Sequence, residues 1–161
     1  MQKITPFLWF DNNAEEAANF YVSVFKNSKI LSVSRYGDAG PGPKGAVMVV
    51  SFQLDGQQFT ALNGGSLFKF SEAFSFVVSC ENQEEIDYYW NKLTSNGGQE
   101  SQCGWLKDKF GFSWQIVPTA LVKLMSDPKK ANRVMQALLQ MKKLDIATLE
   151  DAAEGKVPVS R

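Results

Sequence analysis

Apolar residues recur along this chain with two different periods. Short runs rich in branched and aromatic residues, Lys3 to Phe10, Ser28 to Tyr36, Gly45 to Leu54 and Gln57 to Asn63, predict four strands. Between the first two, Ala14, Ala17, Ala18, Tyr21 and Phe25 fall at helical spacing and predict the inward face of a helix from about Ala14 to Lys26. Asn12 with Glu15, or Asn13 with Glu16, fits a capping box at its start. Asp55-Gly56 predicts a tight hairpin turn. Gly37 to Pro43 predicts an irregular excursion, and Gly64-Gly65 ends the fourth strand.

The pattern then restarts. Phe74 to Cys80 predicts a strand, and Asn82 with Glu85 caps a helix whose apolar stripe is Ile86, Tyr89, Trp90 and Leu93, closed by Gly97-Gly98. Strands near Glu100 to Gly104, Trp105 to Lys107 and Phe112 to Val117 follow. A shift of 69 residues lays Asn13 and Glu15-Glu16 on Asn82 and Glu84-Glu85, so the order strand, helix, three strands occurs twice. The remainder predicts helices: Ala120 to Met125, one opened by Asp127-Pro128, and a short one from Asp145 to Glu154. The stripe Ala131, Val134, Met135, Leu138, Leu139 and Met141 reads as packing, with Lys129, Lys130, Arg133 and Gln136 opposite it. Lys156 to Arg161 reads as a poorly ordered tail.

Gly104 to Pro118 is the most informative run. A compact turn, Lys107 to Gly111, feeds a strand on which Ser113, Gln115 and Val117 share one face and Trp114 and Ile116 the other. An amide among apolar neighbours needs hydrogen-bond partners or a wet cavity.

Composition narrows the chemistry. The 161 residues support one domain that buries roughly 70% of its unfolded surface. Lysine plus arginine balances aspartate plus glutamate at 17 each, and no basic stripe stands out, which argues against a nucleic-acid partner. No apolar run is long enough to span a membrane, and the first residues lack the pattern of a signal peptide, so a cytoplasmic protein is the expectation. Cys80 and Cys103 read as two reduced thiols. Histidine is absent, which excludes histidine triads, a histidine general base and every histidine-containing metal site.

Phe7 to Asp11, Ala14 to Ala17, Phe20-Tyr21, Cys103 to Gly111 and Ser113 to Pro118 resemble the PhnB-like group of the vicinal oxygen chelate superfamily, which carries the inherited label "3-demethylubiquinone-9 3-methyltransferase". The superfamily also holds glyoxalase I, bleomycin-resistance proteins and extradiol dioxygenases. The resemblance implies an α+β fold of the glyoxalase/bleomycin-resistance type. One domain, 1–161, would contain two βαβββ modules, about 3–63 and 73–118, whose mixed sheet curves into a cup, with C-terminal helices over 119–155. It also implies a homodimer. Superfamily enzymes hold a divalent metal with histidine, glutamine and glutamate side chains on four cup strands. The corresponding places here fall on Gln115, on or beside Ser75, near Pro6 and near Thr60. Neutral oxygens hold a divalent cation poorly, so no metal and no cofactor are expected. A methyl-donor domain would need a glycine-rich loop after its first strand, where this chain has Asn12-Asn13.

The candidate ligand contacts are Gln115, Thr60, Asn63 and Ser75, with Trp105 and Phe110 as aromatic walls. The expected function is metal-free binding of a small apolar or aromatic molecule in the cup. The alternative is an enzyme of the same family, of lyase, isomerase or dioxygenase type, or a methyltransferase as the label says.

Overall fold

The computed structural model describes residues 2–156, which fall into two compact units divided between Phe70 and Ser71. The expected disorder of the tail beyond Lys156 lies outside the described residues.

In the first unit, β1 (Phe7–Phe10) leads through Asp11 to Asn13 into α1 (Ala14–Val24), followed by β2 (Lys29–Arg35), β3 (Val47–Leu54) and β4 (Gln57–Asn63). The sheet order is β1-β4-β3-β2, with β1 parallel to β4 and the other pairs antiparallel. Leu8, Phe10, Val50, Phe52, Phe59 and Ala61 form the buried sheet face, against Ala14, Ala17, Ala18, Tyr21 and Val24 of α1. Val24, not Phe25, completes the stripe, because the helix ends one residue earlier and Phe25 becomes its extended C-cap. The hairpin at Asp55-Gly56 forms as expected, with both residues at positive φ. The Gly37–Pro43 excursion is not loose: it closes on the ring of Tyr36, which is buried, and a Cβ at Gly42 would come within 2.3 Å of that ring.

Asn13 is the N-cap residue of α1, but its side chain makes no capping bond. The amide of Asn63 does this instead. Its Oδ1 accepts from the Ala14 N–H at 2.8 Å, its Nδ2 donates to the Val47 carbonyl at 3.1 Å, and its own carbonyl accepts from the Tyr36 hydroxyl at 2.5 Å.

The second unit repeats the plan with β5 (Ser75–Cys80), α2 (Gln83–Leu93), β6 (Gln99–Glu100), β7 (Trp105–Lys107) and β8 (Ser113–Pro118), in sheet order β5-β8-β7-β6. Here the capping box forms locally: Asn82 Oδ1 accepts from the Glu85 N–H, and Glu85 Oε2 accepts from the Glu81 N–H. The helix stops at Leu93, short of Gly97-Gly98, and a single 3₁₀ turn at Ser95–Gly97 follows. β6 spans only two residues, because the chain turns at Gln102 to lay Trp105 beside β8.

Three helices complete this unit: α3 (Ala120–Ser126), α4 (Pro128–Leu138) and α5 (Ile146–Ala153). Val134, Leu144, Leu149 and Ala153 form their core, so of the apolar stripe Val134 is fully buried, Leu138 and Met141 pack against it half-buried, and Met135 and Leu139 are exposed. Asp127 and Asp145 cap α4 and α5 as expected. Arg133 is exposed, opposite the stripe, and its guanidinium also donates to the Ala152 and Ala153 carbonyls at the end of α5.

The two units repeat with a one-residue slip. The helices, Ala14–Val24 and Gln83–Leu93, are 69 residues apart. The first strands, which end at Phe10 and Cys80, are 70 apart (80 − 10), so Phe7, paired with Thr60, matches Val77, paired with Gln115. The residue of β1's approach that corresponds to Ser75 is therefore Thr5 rather than Pro6, and Thr60 is the counterpart of Gln115.

Candidate functional site

The carboxylate of Asp108 organises the run from Trp105 to Pro118. Asp108 is buried, and its Oδ1 accepts from the Phe110 and Phe112 N–H groups at 2.9 and 3.1 Å while Oδ2 accepts from Trp114 Nε1 at 2.8 Å. Its backbone N–H donates to the Phe112 carbonyl, and its carbonyl accepts from Gly111, whose φ of +83° suits glycine. One aspartate thus shapes the turn and fixes the indole of Trp114 on the face of β8 that packs, with Ile116, against α2. Sequence reading took Asp108 as an ordinary turn residue. The signal lay in its position two residues before Phe110 and four before Phe112, the reach of an Asx-type turn.

The opposite face of this sheet carries no helix of the β5–β8 repeat. Cross-strand register orders it in rows. Trp105 lies opposite Gln115, which pairs in turn with Val77. Gln99 lies opposite Lys107, Lys107 opposite Ser113, and Ser113 beside Ser75, so a polar row crosses all four strands. Gln115 Nε2 donates to Ser75 Oγ at 2.9 Å, so these two expected contacts are brought together. Ser113 is 1% exposed, and its Oγ has no hydrogen-bond partner among the described residues.

A cleft of about 190 Å³ opens on this face, lined by Trp105, Leu106, Lys107, Ser113, Glu72 and the β6 edge from Gln99 to Ser101. Lys107 forms an ion pair with Glu72, whose carboxyl is held below the usual range first by the hydrogen bond from that ammonium. Glu100 accepts from Trp90 Nε1 at 2.9 Å. Phe110 lies in the turn, under the Lys109 ammonium at 5.3 Å from its ring centroid, and does not line the cleft.

In the first unit, Thr60 is half-buried between Phe7 and Ser51 in the sheet register. Asn63 lines a larger cleft, about 430 Å³, with Asp11, Asn12, Glu15, Tyr36 and the 41–43 loop. Its amide and the Tyr36 hydroxyl are already bonded internally, and Glu15 lies in the first turn of α1, where a carboxylate complements the helix dipole. Gly64-Gly65 is no phosphate cradle. A Cβ at Gly64 would come within 2.4 Å of the Trp9 indole, and Trp9 Nε1 donates to the Gly65 carbonyl at 2.8 Å.

The places where the superfamily ligates metal do not suit a cation here. Thr5, Thr60, Ser75 and Gln115 offer uncharged oxygens, and the Ser75 hydroxyl is already an acceptor for Gln115. Among the described residues, no three or more of His, Cys, Asp and Glu cluster as ligands. Burial, and then the neighbouring Glu85 and Glu81, push the Cys80 thiol up to about 12, which keeps it protonated and unreactive at neutral pH.

Two βαβββ units in sequence, each with its first strand parallel to its last, define a protein with the glyoxalase/bleomycin-resistance fold. Residues 2–117 match the family model described as 3-demethylubiquinone-9 3-methyltransferase, and the chain belongs to that PhnB-like family. A PhnB protein from Bacillus cereus is 42% identical, with a TM-score of 0.67 over 73% of this chain and 100% of its own. At 19% identity, a protein from Pseudomonas aeruginosa shares the fold, with a TM-score of 0.60 over 73% of this chain and 98% of its own. So does the fosfomycin resistance protein FosX from Listeria monocytogenes, solved with Mn(II) and sulfate, at 15% identity and a TM-score of 0.51 over 73% of this chain and 91% of its own. No curated protein matches. No helix among the described residues is long and apolar enough to cross a membrane.

Proposed function

We propose that this protein binds a small organic molecule, without a divalent metal, on the face of the β5–β8 sheet that carries Gln115, Ser113 and Trp105. The observation that carries this reading is the Ser113 hydroxyl, buried without a partner in a wall of the cleft. An orphaned buried hydroxyl costs stability, and a ligand that supplies its partner recovers that cost. Beside it, the Gln115–Ser75 pair offers amide and hydroxyl groups, and Trp105 and Val77 offer apolar surface for an aromatic body. A homodimer, usual for this fold, is part of the same proposal, and sedimentation velocity checks it.

Thermal unfolding against a panel of small aromatic compounds tests the site. A compound at about 100 times its Kd contributes about 2.7 kcal/mol, or about 5–10 °C in Tm for a chain of this size. The shift is expected to persist in EDTA and to shrink in Gln115→Leu. A shift that appears only with Mn²⁺ or Ni²⁺ overturns the metal-free reading.

A further inference from the structure

Resting on that reading, we infer that the bound molecule carries a carboxylate, received by Lys107 and Ser113, and that Glu72 holds its place in the free protein. Lys107 and Ser113 are cross-strand partners in an antiparallel pair, so their side chains leave the same sheet face at adjacent points. The ammonium of Lys107 already grips a carboxylate, that of Glu72, which shows that this group fits there. Glu72 leaves Ser113 unserved: the hydroxyl has no partner among the described residues, although both side chains line one cleft. A ligand carboxylate has two oxygens, one for the ammonium and one to accept from the Ser113 hydroxyl, and so satisfies both groups where Glu72 satisfies one.

Charge selects the class further. The cleft holds one lysine against Glu72 and Glu100, which suits a monoanion that replaces Glu72 and opposes a phosphate dianion. Displacement is easy, because the Glu72 and Lys107 side chains are 63% and 37% exposed, and an ion pair so open to water is weak. Glu72 lies just before β5, at the cleft rim. Trp105, also on this face, is placed to stack the apolar body of the ligand.

Titration of the full chain with benzoate and with benzamide, followed by amide chemical shifts, tests the assignment. Benzoate is expected to bind more tightly than benzamide, with the largest shifts at Lys107, Ser113 and Trp105. Lys107→Met abolishes that preference. Ser113→Ala weakens benzoate about tenfold, the loss of one charge-assisted hydrogen bond. Glu72→Gln tightens benzoate severalfold by removing the competing carboxylate. Dispersed amide spectra of Ser113→Ala and Glu72→Gln confirm folding should Lys107→Met fail to fold. Equal binding of both probes, with the loss confined to Gln115→Leu, overturns the carboxylate assignment and leaves the binding face standing. Tighter benzamide, or a Glu72→Gln protein that binds benzoate more weakly, also overturns it. Binding of neither probe overturns both.

Discussion

The two βαβββ units share an order of elements but use their polar side chains to different ends. In the first, the one amide near the end of β4, Asn63, is tied to α1, β3 and Tyr36 at once. Two of the polar groups that wall the larger cleft beside it, the Asn63 amide and the Tyr36 hydroxyl, are therefore already in use. In the second unit, α2 is capped by its own Asn82, and no residue of β8 is needed for that task. Asp108 takes over the local geometry, and Ser113 is buried with its hydroxyl unbonded among the described residues. The difference is that one repeat closes its hydrogen-bond network on itself and the other leaves it open on one face. Cavity size alone favours the first unit; hydrogen-bond accounting favours the second, where the proposed site lies.

The sharpest way to break the comparison is at its two organising side chains. Asp108→Ala strands three N–H donors, two of them on buried residues, and is expected to cost about 3 kcal/mol or more. Asp108→Asn keeps an acceptor for the backbone but turns its NH₂ toward Trp114 Nε1, and should fall between wild type and alanine. Asn63→Ala removes a helix cap and a tie to β3, at about 2 kcal/mol. Asn13→Ala, at the formal N-cap, should cost far less because its side chain makes no capping bond. Urea unfolding of the four variants ranks them, and an Asn13 loss as large as that of Asn63 would show the cap assigned to the wrong residue.

A smaller effect with the opposite sign sharpens the comparison. Ser113→Ala replaces an unbonded buried hydroxyl with a methyl group, so the free protein should gain stability, by about 1 kcal/mol or about 2–4 °C in Tm. The same variant is expected to lose benzoate. A residue that lowers the stability of the free protein and raises its affinity is serving a ligand; a Ser113→Ala protein that is destabilised would instead mean that the hydroxyl is structural.

What could be read from sequence was what neighbouring residues decide. β4 was bounded as Gln57 to Asn63, the Asp55-Gly56 hairpin was placed, and the caps at Asn82, Asp127 and Asp145 were found, because each is set within a few residues. Asn63 as the cap of α1 was not legible, since its partner Ala14 lies 49 positions away and the nearby Asn12-Asn13 imitates a cap. The slip between 69 and 70 residues was hidden for a related reason: the extra residue sits in the strand–helix turn, where composition is permissive. Gln115 and Ser75 were chosen for facing one cavity, and the structure joins them by a hydrogen bond. Ser113 shares the face of Gln115 in sequence and structure alike, but its missing partner is not legible, because whether a buried hydroxyl is bonded depends on every strand around it.

The smallest expected effect concerns charge. Glu72, Asp87 and Glu154 all have carboxyls held below their usual range, chiefly by hydrogen bonds from Lys107, Lys143 and Lys130, and all lie in the second unit. A carboxylate with a depressed folded-state pKa contributes stability above its unfolded value and loses it as pH falls through the folded value. Each pair is open to water, so the losses are modest and screened by salt. Glu72→Gln at neutral pH should therefore leave Tm unchanged while it changes benzoate affinity. At a pH low enough to protonate Glu72, the advantage of Glu72→Gln over wild type for an anion that is still ionised should vanish, since the native competitor is then neutral as well. An aryl sulfonate, ionised throughout that range, makes the comparison clean: its affinities for wild type and Glu72→Gln should converge on acidification, and curves that stay parallel would show that Glu72 does not compete for Lys107.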